Sequence, residues 1–206
     1  RGLSFDLGYD TFFDKFDLNL SVTYFKSEQK NSLRSTGKTD WVMRNTDGRN
    51  TSEGVEISGK WKPINKKFGF NFGYTFSDTF DANTCEELEK ASYSDNECRL
   101  YGSAVAQAKV RVPRHALKAK FNYIFNKNFE SSLYGKYMSE TRDFGNTNDG
   151  WTDQILDDYF VFDLVNTYQL SDKYKLMLNI NNIFDKNYQQ AHEYSTMGRT
   201  FNMGLK

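Results

Sequence analysis

The stretch Leu156–Phe184, LDDYFVFDLVNTYQLSDKYKLMLNINNIF, decides the fold. In its second half Tyr174, Leu176, Leu178 and Ile180 alternate with Lys175, Asn179 and Asn181, so a strand there carries one apolar face. In its first half Phe160, Phe162, Leu164 and Tyr168 share a face, and only Ser171, Asp172 and Lys173 separate the two halves. That spacing predicts a hairpin with long arms and a tight turn. Each arm runs to roughly ten residues, beyond the five or six of an ordinary soluble strand and about what a tilted strand needs to cross a bilayer.

The rest of the chain repeats this unit. Leu3, Phe5, Leu7 and Tyr9 alternate with Ser4, Asp6, Gly8 and Asp10. After a turn at Asp14-Lys15, Leu18, Leu20, Val22 and Tyr24 alternate with Asn19, Ser21 and Thr23. Val55, Ile57 and Trp61 oppose Glu56, Ser58 and Lys60. Beyond a turn over 63–67, Phe68, Phe70, Phe72, Tyr74 and Phe76 alternate with Gly69, Asn71, Gly73 and Thr75. Leu117, Ala119, Phe121 and Tyr123 alternate with Lys118, Lys120 and Asn122, turn at Asn126-Lys127-Asn128, and return through Phe129, Leu133 and Tyr137. Phe201, Met203 and Leu205 begin a last strand, which makes about nine. Between them lie long loops near 26–50, 81–103, 142–155 and 187–199, rich in Ser, Thr, Asn, Gly and charge.

Composition narrows the class. No window approaches 18 apolar residues in a row, so helical membrane spans are excluded, but a transmembrane barrel needs an apolar residue only at every second position. With 18 Phe and 13 Tyr, aromatic residues make up 17% of the chain, far more than a soluble core of this size needs. Lys+Arg and Asp+Glu balance at 27 each, which gives no reason to expect nucleic acid as a partner. Pro63 and Pro113 fall at strand margins, where a missing N–H is tolerated.

Two regularities favour a barrel in lipid over a soluble sheet. Short turns near residues 15, 65, 127 and 172 alternate with the long loops, the asymmetry of an outer-membrane barrel with periplasmic turns and extracellular loops. The short turns are also flanked by aromatics: Phe13 and Phe16, Trp61 and Phe68, Phe125 and Phe129, Tyr168 and Tyr174. Rings with an apolar body and a polar edge suit a membrane interface, so outer-membrane lipid is an expected partner. Bacterial single-chain barrels have an even number of strands, so about nine predicts part of a larger barrel whose other strands precede Arg1. An open sheet would otherwise leave unpaired edges in hydrocarbon.

Four segments carry a resemblance: RNTSEGVEISG (Arg49–Gly59), RVPRHALKAKFNY (Arg111–Tyr123), the run Tyr159–Gln189, and GRTFNMGLK at the end. In order and spacing the chain resembles the C-terminal barrel half of TonB-dependent outer-membrane receptors, and within them it is most similar to the cobalamin-receptor-like branch. The resemblance implies an all-β, antiparallel transmembrane barrel. Residues 1–206 would supply about nine C-terminal strands of a 22-stranded barrel, about the size at which a lumen is plugged. It further implies an N-terminal plug, coupling to the TonB complex of the inner membrane, and import of a scarce nutrient, cobalamin or a ferric siderophore. The calcium and cobalamin contacts of the vitamin receptor find no matching motif here, and the chain ends at Lys206 where the family usually closes on an aromatic residue. A passive porin-like channel and a structural, adhesin-like barrel are the alternatives.

No catalytic site, metal site or cofactor is expected. The carboxylates Asp157 and Asp158, and Glu86, Glu87 and Glu89, lack the partners that acid–base or metal chemistry needs and suit solvated loops. Cys85 and Cys98 do not form a CxxC, and with only His115 and His192 beside them they do not suggest zinc. They are expected to form a disulfide within one loop, stabilising it by about 3 kcal/mol in the chain-entropy model. Loop aromatics Trp41, Tyr93, Trp151 and Tyr194 are candidates to grip a ligand. Lys60, Lys118, Lys120 and Lys136 face the lumen, where they can attract an anionic chelate or pair with acids of neighbouring strands or the plug. Asn182 is left open: alternation turns it toward lipid near the outer interface, and a bulge would turn it inward.

Overall fold

The computed structural model describes residues 1–30, 33–35, 43–45, 49–63, 66–82, 107–147 and 150–206. In chain order the strands are β1 (Gly2–Phe13), β2 (Leu18–Lys30), β3 (Leu33–Ser35), β4 (Met43–Asn45), β5 (Arg49–Trp61), β6 (Phe68–Ala82), β7 (Gln107–Ala108) and β8 (His115–Ile124). They continue as β9 (Phe129–Met138), β10 (Thr141–Thr147), β11 (Gly150–Leu156), β12 (Tyr159–Gln169), β13 (Lys175–Asn181), β14 (Gln189–Ala191), β15 (Tyr194–Ser195) and β16 (Thr200–Leu205). Nine of them form one antiparallel path, β1-β2-β5-β6-β8-β9-β12-β13-β16, with β7 paired to the far end of β6. Each main strand lies beside its predecessor in sequence, the meander of a barrel wall.

Register sorts side chains into two faces. Tyr24, Val55 and Phe76 stand opposite one another across β2, β5 and β6, and Leu117, Tyr137 and Phe160 across β8, β9 and β12. These belong to the apolar face. Near the short turns, aromatic rings run along it from β5 to β12. Trp61 meets Phe68 at 5.4 Å between centroids, Phe125 stacks on Phe129 at 4.8 Å, and Phe129 meets Tyr168 at 6.3 Å. Trp61 Nε1 donates to the Phe16 carbonyl at 2.8 Å and ties the first turn, a 3-10 segment over Asp14–Phe16, into this belt.

A second aromatic level lies higher. Tyr137 and Phe160 approach to 4.5 Å, and Phe76 and His115 to 5.3 Å. From Phe160 to Tyr168 a strand rises roughly 27 Å along its own axis, or about 21 Å after a tilt near 40°, close to the apolar band of an outer-membrane barrel. One row above Tyr24, Val55 and Phe76 the same face turns charged, with Lys26, Glu53 and Asp78. Lys26 Nζ reaches Glu53 at 2.6 Å, and Arg114 reaches Asp78 at 3.3 Å while lying over the Phe76 ring. The hydrocarbon band therefore ends between these two rows. Below that boundary the face stays open and apolar, with Tyr9, Phe201 and Met203 among the most exposed large side chains. Such a surface is tolerable only where lipid is the solvent.

Close backbone approach explains Gly54. A Cβ there would collide with the Phe76 carbonyl oxygen and with the Phe25 ring that lies over it, so that position excludes any side chain.

The structure corrects several expected boundaries. The loops predicted at 142–155 and 187–199 contain hairpins, β10–β11 in continuous register from Thr141↔Leu156 to Thr147↔Gly150, and the short β14–β15. Strand β2 runs on to Lys30, and β5 starts at Arg49, shortening the first loop. The tight turn at Ser171–Lys173 is as predicted, closed by Leu170 N–H donating to the Tyr174 carbonyl at 2.9 Å. Asn182 fits neither expectation: it is buried at 4% exposure, with φ 51, where β13 has already ended at Asn181.

The two ends of the sheet differ enough to be separated chemically. In a background lacking Cys85 and Cys98, single cysteines replacing Glu193 or Gln190 should react with an impermeant maleimide on intact cells. Those replacing Lys15, Lys127 or Asp172 should react only after the outer membrane is opened. Equal labelling of both groups on intact cells would overturn this orientation.

Candidate functional site

The densest polar structure lies at the long-loop end. Asp143, on β10, is fully buried. Its Oδ1 accepts from Arg111 Nε at 2.9 Å and its Oδ2 from the backbone N–H of His192 at 2.7 Å. Arg111 N–H also donates to the Arg142 carbonyl at 2.8 Å. One carboxylate thus holds together the segment before β8, the β10–β11 hairpin and the β14–β15 segment. Arg111 and Glu193 adopt left-handed backbone, φ 61 and 64, at the points where two of these segments bend toward it. The His192 imidazole lies where a side chain at Gly145 would be, so the β10 backbone and the ring are in direct contact.

Beside this clasp is a cavity of about 350 Å³ lined by Gln154, Asp157, Asp158, Lys186, Tyr188 and His192 among others. Tyr188 packs on Tyr159 with centroids 4.4 Å apart, which anchors that wall to β12. The lining offers carboxylates, an ammonium group, an amide, a phenol and an imidazole, a set that hydrogen-bonds a hydrophilic ligand. Among the described residues no cluster of three or more His, Cys, Asp or Glu is arranged to hold a metal ion.

The residues expected to grip a ligand are only partly brought to this place. Trp151 lies on β11, its backbone opposite Asn146, and its side chain is outside the described set. Tyr194, on β15, is 73% exposed. Trp41, Tyr93, Cys85 and Cys98, with Glu86, Glu87 and Glu89, lie outside the described residues. Asp157 and Asp158 do line the cavity. The sequence reading missed Asp143, Arg111, Lys186 and Tyr188 as a group. Asp143 finds its partners 32 and 49 residues away, a distance at which no local pattern signals a contact.

On the inner face, Lys60, Lys120, Tyr134 and Asp163 fall on one row with Asn71 between the first two, and Lys118 stands opposite Lys136 on the next. The expected pairing of these lysines with acids of neighbouring strands is not what the wall shows. Lys120 Nζ lies 5.2 Å from the Tyr134 ring centre and Lys136 Nζ 5.6 Å from that of Tyr159. Asp163 accepts from the Asn182 N–H at 2.7 Å.

An antiparallel meander with an apolar outer face, two aromatic levels, and long loops gathered at one end is thus in place. Residues 1–183 match the family model described as TonB dependent receptor-like, beta-barrel. The chain belongs to the TonB-dependent receptors. It is accordingly an outer-membrane chain of the Gram-negative type, and the family is one of receptors and transporters.

Solved structures with this TonB-dependent receptor fold include the ferripyoverdine receptor of Pseudomonas aeruginosa bound to ferripyoverdine, at TM-score 0.72 and 17% identity, with 99% of this chain and 26% of that one covered. The ferric-catecholate import receptor Fiu of E. coli superposes at 0.71 with 19% identity, covering 99% and 27%. The siderophore receptor PiuA of Acinetobacter baumannii gives 0.69 and 20%, covering 99% and 28%. At these identities the likeness is one of fold, and the chain spans about a quarter of the length of these structures. No curated protein matches the chain.

Proposed function

We propose that residues 1–206 form the C-terminal part of the barrel wall of a receptor that imports a scarce metal chelate by active transport. In this reading the plug and the N-terminal strands lie elsewhere in the full-length protein, and the plug carries the contact with the TonB complex. The long-loop end is then the extracellular mouth. The observation that carries the reading is the polar cavity held by the Asp143 clasp at that end, above a wall that is apolar outside and polar inside. A passive pore has no need of loops tied into a fixed polar recess, whereas a receptor gains affinity from one that is preorganised.

Ferric siderophore is the first substrate class, supported by the fold neighbours that are siderophore receptors. Cobalamin is the second, supported by the sequence resemblance alone. The test uses the full-length protein in cells lacking their own receptors, supplied with radiolabelled ferric siderophores or cobalamin. Uptake should saturate with substrate and stop when TonB is deleted or the proton-motive force is collapsed. Uptake that rises linearly and survives loss of TonB would mean a passive channel and overturn the proposal.

A further inference from the structure

The two boundaries of the apolar band carry charge differently. At the upper one basic and acidic side chains neutralise each other on the wall itself. Lys26 meets Glu53 at 2.6 Å, Arg114 meets Asp78 at 3.3 Å, and Glu28 lies 3.0 Å from Lys30 and 3.5 Å from Arg49. At the lower one, two of the short turns are lysine-rich and hold no acid. The β5–β6 connection brings Lys62, Lys66 and Lys67 between Trp61 and Phe68, and the β8–β9 connection brings Lys127 between Phe125 and Phe129. These turns are neighbours, because β6 pairs with β8 and the Ile124 N–H donates to the Lys67 carbonyl at 2.6 Å. Lys67 Nζ joins them again by donating to the Phe125 carbonyl at 3.2 Å.

All four lysines are exposed, and among the described residues none makes an ion pair. The acids nearest in the fold are Asp17, whose carbonyl accepts from the Lys62 N–H at 3.3 Å, and Glu130, which falls on the inner face of β9. The other two short turns differ, since Lys15 has Asp14 and Asp17 beside it and Lys173 has Asp172. Next to the four lysines the aromatic belt is continuous. Phe68 lies 6.5 Å from Phe121, and Tyr123 meets Phe125 edge-on at 4.8 Å, with Phe121 and Phe125 exposed on the lipid face.

Unpaired ammonium groups at the rim of a lipid-facing aromatic surface fit an anion that carries its own hydrocarbon. From this geometry we infer that the β5–β6 and β8–β9 turns bind the headgroup of an anionic phospholipid in the inner leaflet of the outer membrane. Its phosphate is held by Lys62, Lys66 and Lys127, and its acyl chains lie along Phe68 and Phe121. Lys67, already engaged by Phe125, keeps the two turns side by side. A zwitterionic headgroup brings its own cation and gains less, so the site selects by charge. Each lysine near an anionic lipid surface contributes about fivefold in binding. The receptor reading above supplies only the leaflet, and the charge selectivity stands apart from transport.

Full-length receptor is placed in nanodiscs of phosphatidylcholine, with or without phosphatidylglycerol, and acylated with an amine reagent before peptide mass spectrometry. With phosphatidylglycerol present, Lys62, Lys66 and Lys127 should acylate about fivefold more slowly, and Lys15, Lys26 and Lys173 should change by less than about twofold. The protection should vanish at about 1 M salt, where screening acts within about 3 Å. Native mass spectrometry of mixed nanodiscs should find phosphatidylglycerol retained by the parent and lost from the variant combining Lys62→Gln, Lys66→Gln and Lys127→Gln. These side chains are exposed and bond to nothing in the structure, and the acylation experiment needs no substitution at all. Equal protection at every lysine, equal protection in phosphatidylcholine alone, or phosphatidylglycerol retained by the variant would each overturn the inference. So would protection that appears only when periplasmic extract is added, which would mean a protein partner. Loss of TonB-dependent uptake would remove the transport reading and leave the lipid result as it stands.

Discussion

Asp143→Ala is expected to release the three segments at the long-loop end, at a local cost of about 3 kcal/mol, while leaving the nine-strand wall folded. The carboxylate is fully buried and gives one oxygen to Arg111 and the other to the His192 N–H. Removing it leaves a part-buried N–H without that acceptor and a guanidinium without its anion. Hydrogen bonds to a charged group contribute about 1.5–3 kcal/mol each, and the Arg111 share is discounted because that side chain is about half exposed to screening solvent. Asp143→Asn keeps one acceptor but turns an NH₂ toward the second donor, so about half of the loss should remain. His192→Ala is the control, since the bond comes from the backbone and survives truncation.

Hydrogen exchange of the full-length protein checks this directly. Asp143→Ala should raise exchange in residues 109–114 and 189–195, with β12 and β13 unchanged, and ligand affinity should fall with the lost preorganisation. If exchange in those segments matched the parent protein, or if His192→Ala loosened them as much, the carboxylate would not be the clasp.

Much of the fold was legible because its governing signal is local. A period of two says which residues share a face, so the lipid face of Phe68 to Phe76 and the polar face of Lys118 and Lys120 could be read directly. Asn126-Lys127-Asn128 was legible for the same reason. The Asn126 side-chain oxygen accepts from the N–H groups of Asn128 and Phe129 at 2.9 and 3.0 Å, the turn chemistry that Asn supplies. The hairpin β10–β11 was not legible. Its sequence, TRDFGNTNDGWTDQIL, is too polar to alternate, and its pairing is made by backbone groups whose register side chains do not advertise. The Asp143 site failed for a related reason, because alternation assigns a face and never a partner.

The upper edge of the hydrocarbon band was present in the sequence but read too coarsely. Lys26 and Glu28 continue the parity of Val22 and Tyr24, and the change from ring to charge on one face marks the boundary. Apolar alternation dissolves from about Lys26 into polar and charged residues, so period alone starts the first loop there. The strand continues above the membrane, where the same face meets water.

Asn182→Ala should be the most damaging single change on the wall itself, destabilising it by about 3–4 kcal/mol. The residue caps β13 in place of backbone. Its Oδ1 accepts from the Lys186 N–H at 2.9 Å and its Nδ2 donates to the Lys186 carbonyl at 2.9 Å, as a neighbouring strand would. Its own N–H donates to Asp163 Oδ1 at 2.7 Å, and the next N–H, of Ile183, to the Phe162 carbonyl at 2.8 Å, which fastens the turn to β12. Left-handed backbone at φ 51 is tolerated by Asn and costs Ala roughly 1 kcal/mol. Two backbone groups of Lys186 lose part-buried hydrogen bonds as well, at about 1–1.5 kcal/mol each. Asn182→Gly separates the terms, since it restores the conformational freedom and still lacks both side-chain bonds, and it should recover only about 1 kcal/mol. Asn182→Asp accepts from the N–H but sets a carboxylate against the Lys186 carbonyl and close to Asp163, so it should be no better than Gly. Urea unfolding of the full-length barrel in detergent, followed by the mobility of unheated samples on gels, reads the order parent, Gly, Ala. An Ala variant within about 0.5 kcal/mol of the parent, the range of an ordinary surface change, would mean the turn is held by β12 alone.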